Sequence, residues 1–362
     1  MTARTSHQIL SLNAVRGLAA LLVVVSHLPD AVNMHFGPVH EGSLGVMVFF
    51  TLSGFLMGLL YLGQPATPHN VAAYAIARFS RIAPPYLIVV LLSFLVFMLV
   101  DPRFPYAIGT HNLLRHALFS GNVSVFWSIP PEVQFYVLFI GIWWAVHRAH
   151  EGHTGALIAV AALTVVAVCV RNAVPGTFAI SKLHYFLAGT LLGGMHPWLR
   201  SVKVSTVALT LLQSVLLVAL VLFMLEVIEL PDNYWPDLSP ALISGLAVFA
   251  FAHDRTVIDK VLAAKPFQWF GDWSFSIYLL HVPVIYVLKQ LGVMQGWLGW
   301  VGVVGTVAAC AVFSVLIERP ACTGSKRHLT ALLQRVERWR ARRAAPVFAN
   351  DIGADVATDR SP

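Results

Sequence analysis

Apolar residues in this chain gather into runs of about twenty, the number a helix needs to cross a hydrocarbon layer about 30 Å thick. The pattern predicts about ten spanning helices, at 9–28, 44–62, 82–100, 125–146, 155–171, 177–196, 204–228, 238–253, 268–288 and 295–317. Ionisable residues inside these runs are few, and the first run holds two of them. Arg16 and His27 have ten residues between them. Eleven steps of about 100° make roughly three turns, so the two side chains share one face, about 16 Å apart along the axis. A charge at membrane depth marks a site by default. The plain alternative is that Arg16 snorkels to the near interface and His27 to the far one.

Composition fixes the class. Of the 362 residues, 57% are hydrophobic and 11% charged, against about 25% charged in an ordinary soluble domain. The chain is predicted to be an all-α polytopic membrane protein with no room for a sizeable soluble domain, so its chemistry is expected inside the bundle or in short loops. Cys169, Cys310 and Cys322 give neither a disulfide framework nor a metal-ligand spacing, and no metal is expected. Only Arg4 precedes the first apolar run and no small-residue cleavage site follows it, so a removable signal peptide is not expected.

Alternating the connections between two sides puts Arg4, Arg78, Arg81, Arg148, Arg200, Lys203, Arg255, Lys260 and Lys265 on one side, and Arg103, Arg115, Arg171 and Lys289 on the other. Cytoplasmic loops are enriched in Lys and Arg, so this asymmetry predicts both termini inside. The net charge of +7 is then topology plus a basic tail, and nucleic acid is not an expected partner. Within 321–343, the stretch KRHLTALLQRVERWRARR (326–343) is predicted to form a basic amphipathic helix, with Leu329, Leu332, Leu333, Val336 and Trp339 on its apolar side. Such a helix suits an anionic cytoplasmic leaflet. From 344 to 362 the composition turns small, polar and acidic, which predicts disorder.

Six runs carry more than hydropathy: LNAVRGLAALLVVVSH (12–27), GVMVFFTLSGFLM (45–57), RFSRIAPPY (78–86), FWSIPPEVQFY (126–136), WSFSIYLLHVP (273–283) and IERP (317–320). In this order they resemble the successive blocks of the acyltransferase-3 family of integral membrane acyltransferases. Members of that family O-acylate sugars of cell-envelope polysaccharides and, in some branches, antibiotics and other small molecules. The resemblance implies that residues 1–320 form a transmembrane acyltransferase domain in a bacterial inner membrane. It would move an acyl group, acetyl by preference, from cytoplasmic acyl-coenzyme A to a hydroxyl of a carbohydrate or glycoconjugate. The donor is a substrate, no permanently bound cofactor is implied, and self-association is left open. The rival reading is a transporter or flippase, for which intramembrane Arg, Lys and His are equally expected. The halves carry no convincing inverted repeat, and transport gives no reason for six ordered blocks.

Acyl transfer from a thioester to a hydroxyl needs a base, a group that supports the base, and donors for the oxyanion. An imidazole, which titrates near pH 6.5 when unperturbed, suits the first role at His27. On the alternating topology His27 lies in the outer half of helix 1 and Glu132 in the first turn of helix 4, which enters from the same side, so the two are expected to meet. The resemblance assigns them to the family's essential histidine and glutamate; the plain reading of Glu132 is a carboxylate favoured by the helix dipole after Pro130 and Pro131. Arg78 and Arg81 are three apart, near the predicted start of helix 3. The family associates this element with the donor, whose phosphates guanidiniums grip bidentately. Arg16, about two turns inside, is expected to hold a phosphate, the pantetheine amides or the thioester region.

Other matching residues carry softer expectations. Ser53 and Gly54 serve close packing or line the donor tunnel. Trp127, Gln134 and Tyr136 flank Glu132 and are candidates for acceptor contact, or ordinary interfacial anchors. Tyr278 and His281 fall in helix 9, His281 being a reserve for proton handling or substrate contact. Glu318 and Arg319 read as structural. Lys182 and His184 contact an acidic acceptor or, more simply, snorkel. Asn13 and Met47 stand where the family often has Asp, Pro131 where it often has Val, and Val133 where a second acid is common. No extracytoplasmic hydrolase-like domain is expected after helix 10, so acceptor handling is expected to fall to the membrane domain or a partner.

Overall fold

The computed structural model describes residues 9–28, 42–201, 204–224, 227, 235–295 and 298–344. Among them the chain is all-helical, with no strand. The helices are α1 (Leu10–Ser26), α2 (Gly42–Tyr61), α3 (Pro68–Leu99), α4 (Thr110–Ala117), α5 (Ile129–His150), α6 (Gly155–Cys169), α7 (Ala179–Ser201), α8 (Thr206–Met224), α9 (Leu238–Phe251), α10 (Val257–Leu262), α11 (Lys265–Gln290), α12 (Leu298–Phe313) and α13 (Arg319–Ala344). A helix lies over each predicted apolar stretch. By length and composition six helical segments suffice to cross a membrane, namely α2, α3, Ser124–His150, the α8 span, α11 and the run from Leu298 to Arg343, while α1, α6 and α9 are shorter apolar helices.

Two boundaries differ from expectation. Hydropathy predicts a start at 82 for the third span, but α3 begins fourteen residues earlier (82 − 68 = 14). Thr67 caps it, accepting from Asn70 N–H at 3.2 Å, and Pro68 occupies the first turn. Hydropathy detects the apolar part of a helix, whereas the cap decides where the helix begins. Arg78 and Arg81 therefore stand well inside a continuous helix. At the other end, α12 does not stop near 317. It passes through a π-helical turn, Ser314–Glu318, into α13 without a break, and the predicted amphipathic segment is the outer part of that helix. The stretch expected to be disordered lies outside the described residues beyond Ala344.

Small residues set the packing. Without water to drive apolar faces together in lipid, helices associate where their backbones approach closely. Gly54 and Gly58 of α2 face Gly189 and Gly193 of α7, each seated on backbone of the partner helix, so a Cβ at Gly189 would strike Thr51 and Phe55 and one at Gly54 would strike Phe186. Between α1 and α11, a Cβ on Gly17 would lie 2.5 Å from Gly271 N and 2.6 Å from Phe270 C. Thr51 and Ser244 share a buried hydroxyl contact at 2.9 Å between α2 and α9. Buried tyrosines give their hydroxyls to main-chain carbonyls of other elements: Tyr74 to Tyr136 at 2.9 Å, Tyr86 to His116 at 3.0 Å and Tyr106 to Leu279 at 2.8 Å. By contrast α6 has no buried residue, and its Val and Leu side chains face outward, as a lipid-facing helix requires.

The α2–α7 seam makes a direct stability prediction. Gly189→Leu forces two backbones apart and should destabilise the purified protein by at least about 1–3 kcal/mol, read as a lower thermal midpoint in detergent. Gly63→Ala, at an exposed position with open space around it, should stay within about 0.5 kcal/mol.

Candidate active site

The close approach of α1 and α11 brings a main-chain carbonyl to Arg16. Its Nη2 and Nε donate to Gly271 O at 2.6 and 3.2 Å, and Nη2 also donates to Asn13 Oδ1 at 2.9 Å. Asn13 in turn donates through Nδ2 to Gln268 O, Gln268 Oε1 and Asp272 Oδ1 at 3.2, 3.0 and 3.2 Å. An aspartate there could accept from Arg16 but, ionised, could not donate to Asp272, so the amide suits a neighbour that is itself a carboxylate. Arg16 does not snorkel. It is pinned across the α1–α11 seam.

Two connected spaces meet at this arginine. An inner cavity of about 70 Å³ runs between α2, α3, α5 and α11, lined by Arg16, Phe50, Ser53, Arg78, Arg81, Ser128, Glu132, Tyr136, Tyr278 and apolar neighbours. A wider cleft of about 580 Å³ opens beyond it, walled by α3, α11 and α13. Arg16, Arg78, Arg81, Ser274 and Phe275 line both, so three guanidiniums stand at the junction. The cleft carries five cations, Arg16, Arg78, Arg81, Arg319 and Lys326, against two carboxylates, Asp272 and Glu318. Asp272 is paired with Arg319 at 3.2 Å, while Glu318 accepts from Ser276 and, at 2.9 Å, from Ser314. Arg78 lies near the rings of Tyr61 and Tyr136, 5.9 and 6.0 Å from their centroids, and its Nε is buried with no hydrogen-bond partner. The site therefore holds positive charge in excess, as an anion-binding cleft needs.

Glu132 sits in the first turn of α5, after a 3₁₀ turn over Ser124–Ser128 and two prolines that fix the entry. Ser53 Oγ and Tyr136 Oη both donate to Glu132 Oε1, at 2.5 and 2.6 Å. Ser53 is thus a cavity residue, while its neighbour Gly54 serves packing. His27 ends α1: its Nδ1–H donates to Val23 O at 2.8 Å, which leaves Nε2 without a proton. Its ring meets His281 edge to face with centroids 4.8 Å apart. His281 donates from Nδ1 to the carbonyls of Ile277 and Tyr278, and its Nε2 is buried without a partner. His27 and Glu132 do not touch. Between them lie His281, Tyr278 and the 2.7 Å hydroxyl pair of Tyr278 with Ser128.

The acceptor-side candidates separate. Tyr136 lines the inner cavity. Gln134 is committed to structure, donating to Thr177 O at 3.2 Å and accepting from Ala179 N–H at 2.9 Å, which ties down the start of α7. Trp127 lies outside both spaces, packed against Trp235 with centroids 5.3 Å apart. Lys182 does not snorkel either: it is 7% exposed, with its ammonium 4.1 Å from the Trp235 ring centroid. Sequence reasoning passed over Ser128, Asp272 and Ser274. Asp272 carried a signal, an acid inside an apolar helix; the two serines carried none beyond their motifs. Among the described residues no group of three His, Cys, Asp or Glu could hold a metal, and no disulfide joins the cysteines.

Residues 9–319 match the acyltransferase domain family, a span that takes in every residue lining the inner cavity. The chain belongs to the acyltransferase-3 family. It is 25% identical to the peptidoglycan O-acetyltransferase OatA of Listeria monocytogenes over 76% of this chain and 49% of that protein. It is 22% identical to the putative peptidoglycan O-acetyltransferase YrhL of Bacillus subtilis over 93% of this chain and 59% of that one. The chain thus spans about half to three fifths of the length of these relatives. No solved structure matches it. Within the acyltransferase-3 framework, the junction of Arg16, Arg78 and Arg81 with Glu132 is the part of the bundle richest in chemistry.

The two hydroxyls on one carboxylate oxygen act as a unit. Ser53→Ala and Tyr136→Phe each remove a hydrogen bond to a charged group, worth about 1.5–3 kcal/mol. The double variant should lose less than the sum, because the first loss already frees Glu132 to turn. Thermal unfolding of the four proteins gives the coupling directly; strict additivity would mean that the two contacts are independent.

Proposed function

We propose that this protein is a membrane O-acyltransferase that moves an acyl group, acetyl by preference, from acyl-coenzyme A to a hydroxyl of a carbohydrate acceptor. The observation that carries the reading is the arginine junction between a wide cationic cleft and a narrow cavity that ends at Glu132. Coenzyme A supplies a diphosphate and a further phosphate, which suit the outer cleft. The thioester end of its slender pantetheine arm reaches toward the inner cavity, where Arg16 meets an amide or the thioester. The activity in the relatives' names, peptidoglycan O-acetyltransferase, supports acetyl as the group and a cell-wall glycan as the acceptor class. The loop-charge asymmetry supports a cleft open to the cytoplasm of a bacterial inner membrane, with both termini on that side and α13 along the anionic leaflet.

His27 is the general base. Its Nδ1–H is committed to Val23 O, so Nε2 takes the proton from the acceptor hydroxyl as that oxygen attacks the thioester carbon. The coenzyme A sulfur leaves and is protonated in turn. Glu132 supports the base by its charge across the Tyr278–His281 layer rather than by a direct hydrogen bond. Transfer of label from acetyl-coenzyme A to a muropeptide by protein purified in lipid nanodiscs tests the whole reading. His27→Ala should abolish transfer while leaving insertion and the thermal midpoint near wild type. Glu132→Gln, which keeps shape and loses charge, should lower turnover far more than donor affinity.

The donor side has its own signature. Neutralising Arg78 or Arg81 removes a charge-assisted contact, about 1.5 to 3 kcal/mol, or one to two decades in donor affinity. Donor KM should rise while acceptor KM holds. A pantetheine thioester lacking the nucleotide should be affected much less, and Arg16→Ala should weaken both donors. Equal losses with both donors in the Arg78 and Arg81 variants would refute the phosphate clamp.

A further inference from the structure

We propose that Lys182 and His184, held against Trp127 and Trp235 beside the inner cavity, form a subsite for a carboxylate on the acceptor, so that the acceptor is an acidic glycan. The proposal rests on the O-acyltransferase reading and names the substrate class of that site. Lys182 is the fourth residue of α7 and 7% exposed, and His184 is 5% exposed. Among the described residues no carboxylate pairs with Lys182; Asp237, two residues after Trp235, makes no ion pair with it. What the ammonium does meet are ring faces, Trp235 at 4.1 Å and Trp127 at 5.9 Å from their centroids.

Three electrostatic terms work against a cation in this position. Burial strips its water, no counter-ion among the described residues replaces it, and the first turn of a helix is the positive end of the helix dipole. Aromatic faces offset part of this, and a bound anion offsets all three. A second cation, Arg171, approaches the same segment, donating to Pro236 O at 2.5 Å and to Val168 O at 2.6 Å, again with no carboxylate partner among the described residues. His184 gives its Nε2–H to Trp235 O at 3.1 Å, which leaves Nδ1 as an acceptor; that atom is buried and unpartnered. An ammonium for a carboxylate, an imidazole nitrogen for a hydroxyl and two indole faces for the C–H faces of a pyranose make a sugar-acid site.

The placement fits an acceptor. Phe50 lines the inner cavity and meets both indoles, with centroid distances of 6.5 Å to each. Trp127 directly precedes Ser128, a cavity residue, in the same 3₁₀ turn that leads into Glu132. A glycan anchored by its carboxylate at Lys182 therefore lies one ring layer, that of Phe50, from the inner cavity.

The test uses the full chain in nanodiscs without donor and two probes that differ in charge alone, the N-acetylglucosaminyl–N-acetylmuramic acid disaccharide and its methyl ester. Calorimetry on wild type should give the acid at least about tenfold tighter binding than the ester, the value of one charge-assisted contact. Lys182→Met should erase the difference by weakening the acid alone, and Lys182→Arg should keep most of it. Equal binding of acid and ester by wild type would overturn the proposal, the lysine then being neutralised from within the protein. An acid preference unchanged in Lys182→Met would overturn it equally. If that variant does not fold, wild type and Lys182→Arg still decide. Coenzyme A binding and acetyl transfer in the same preparations separate the two readings: absent transfer with an intact acid preference counts against acyl transfer and leaves the subsite standing.

Discussion

A guanidinium cannot sit in an apolar bundle unless its donors are met, and the way Arg16 is met organises the site. Its partner is a main-chain carbonyl, Gly271 O, which α1 can reach only because Gly17 and Gly271 let two backbones come together. The seam that satisfies the charge also fixes α1 against α11. With α11 come Ser274, Phe275 and Tyr278, the floor of the inner cavity, and Asp272, the partner of Arg319 on the far wall of the cleft. Loss of the carbonyl contact would leave an uncompensated charge at membrane depth, the costly state that bundles are built to avoid.

Helices were legible because membrane spans announce themselves by length and apolarity. Partners were not. Arg16 stands out in the sequence as a cation in an apolar run, yet its carbonyl acceptor lies 255 residues away, and no local pattern names it. The same holds for Ser53, whose hydroxyl meets Glu132 79 residues on, and for His27, whose ring meets that of His281. Two residues expected at similar depth can still be separated sideways by a layer of rings. Gln134 shows the opposite error: a polar residue beside Glu132 invites a substrate role, whereas its amide is already divided between Thr177 and the first N–H of α7. Lys182 read as a snorkelling residue because hydropathy carries no information about the aromatic faces that hold it inside.

Charge is distributed with a division of labour. Cations gather where α3, α11 and α13 meet, while the Glu132 end of the inner cavity is finished by hydroxyls from Ser53, Ser128, Tyr136 and Tyr278. Hydroxyls can donate or accept, so they suit a place where charge moves during a reaction; fixed guanidiniums suit a place where charge is merely held. The two chemistries share one boundary, the arginine triad, which lines both spaces.

The wall that α13 contributes has a consequence for how the molecule comes into being. His69 near the start of α3 pairs with Glu337 at 2.6 Å, Ser80 meets Ser325 at 3.3 Å, and Cys322 reaches the carbonyl of Arg81 at 3.5 Å. The cleft is therefore closed by segments from opposite ends of the chain. Because α13 is translated last, the wall that faces Arg78 and Arg81 is supplied only when the chain is nearly complete. The matched family region stops at 319, but Cys322, Thr323 and Lys326 line the cleft. A chain cut at that boundary would keep every residue of the inner cavity and lack one side of its entrance, so the cleft reaches past the matched family region.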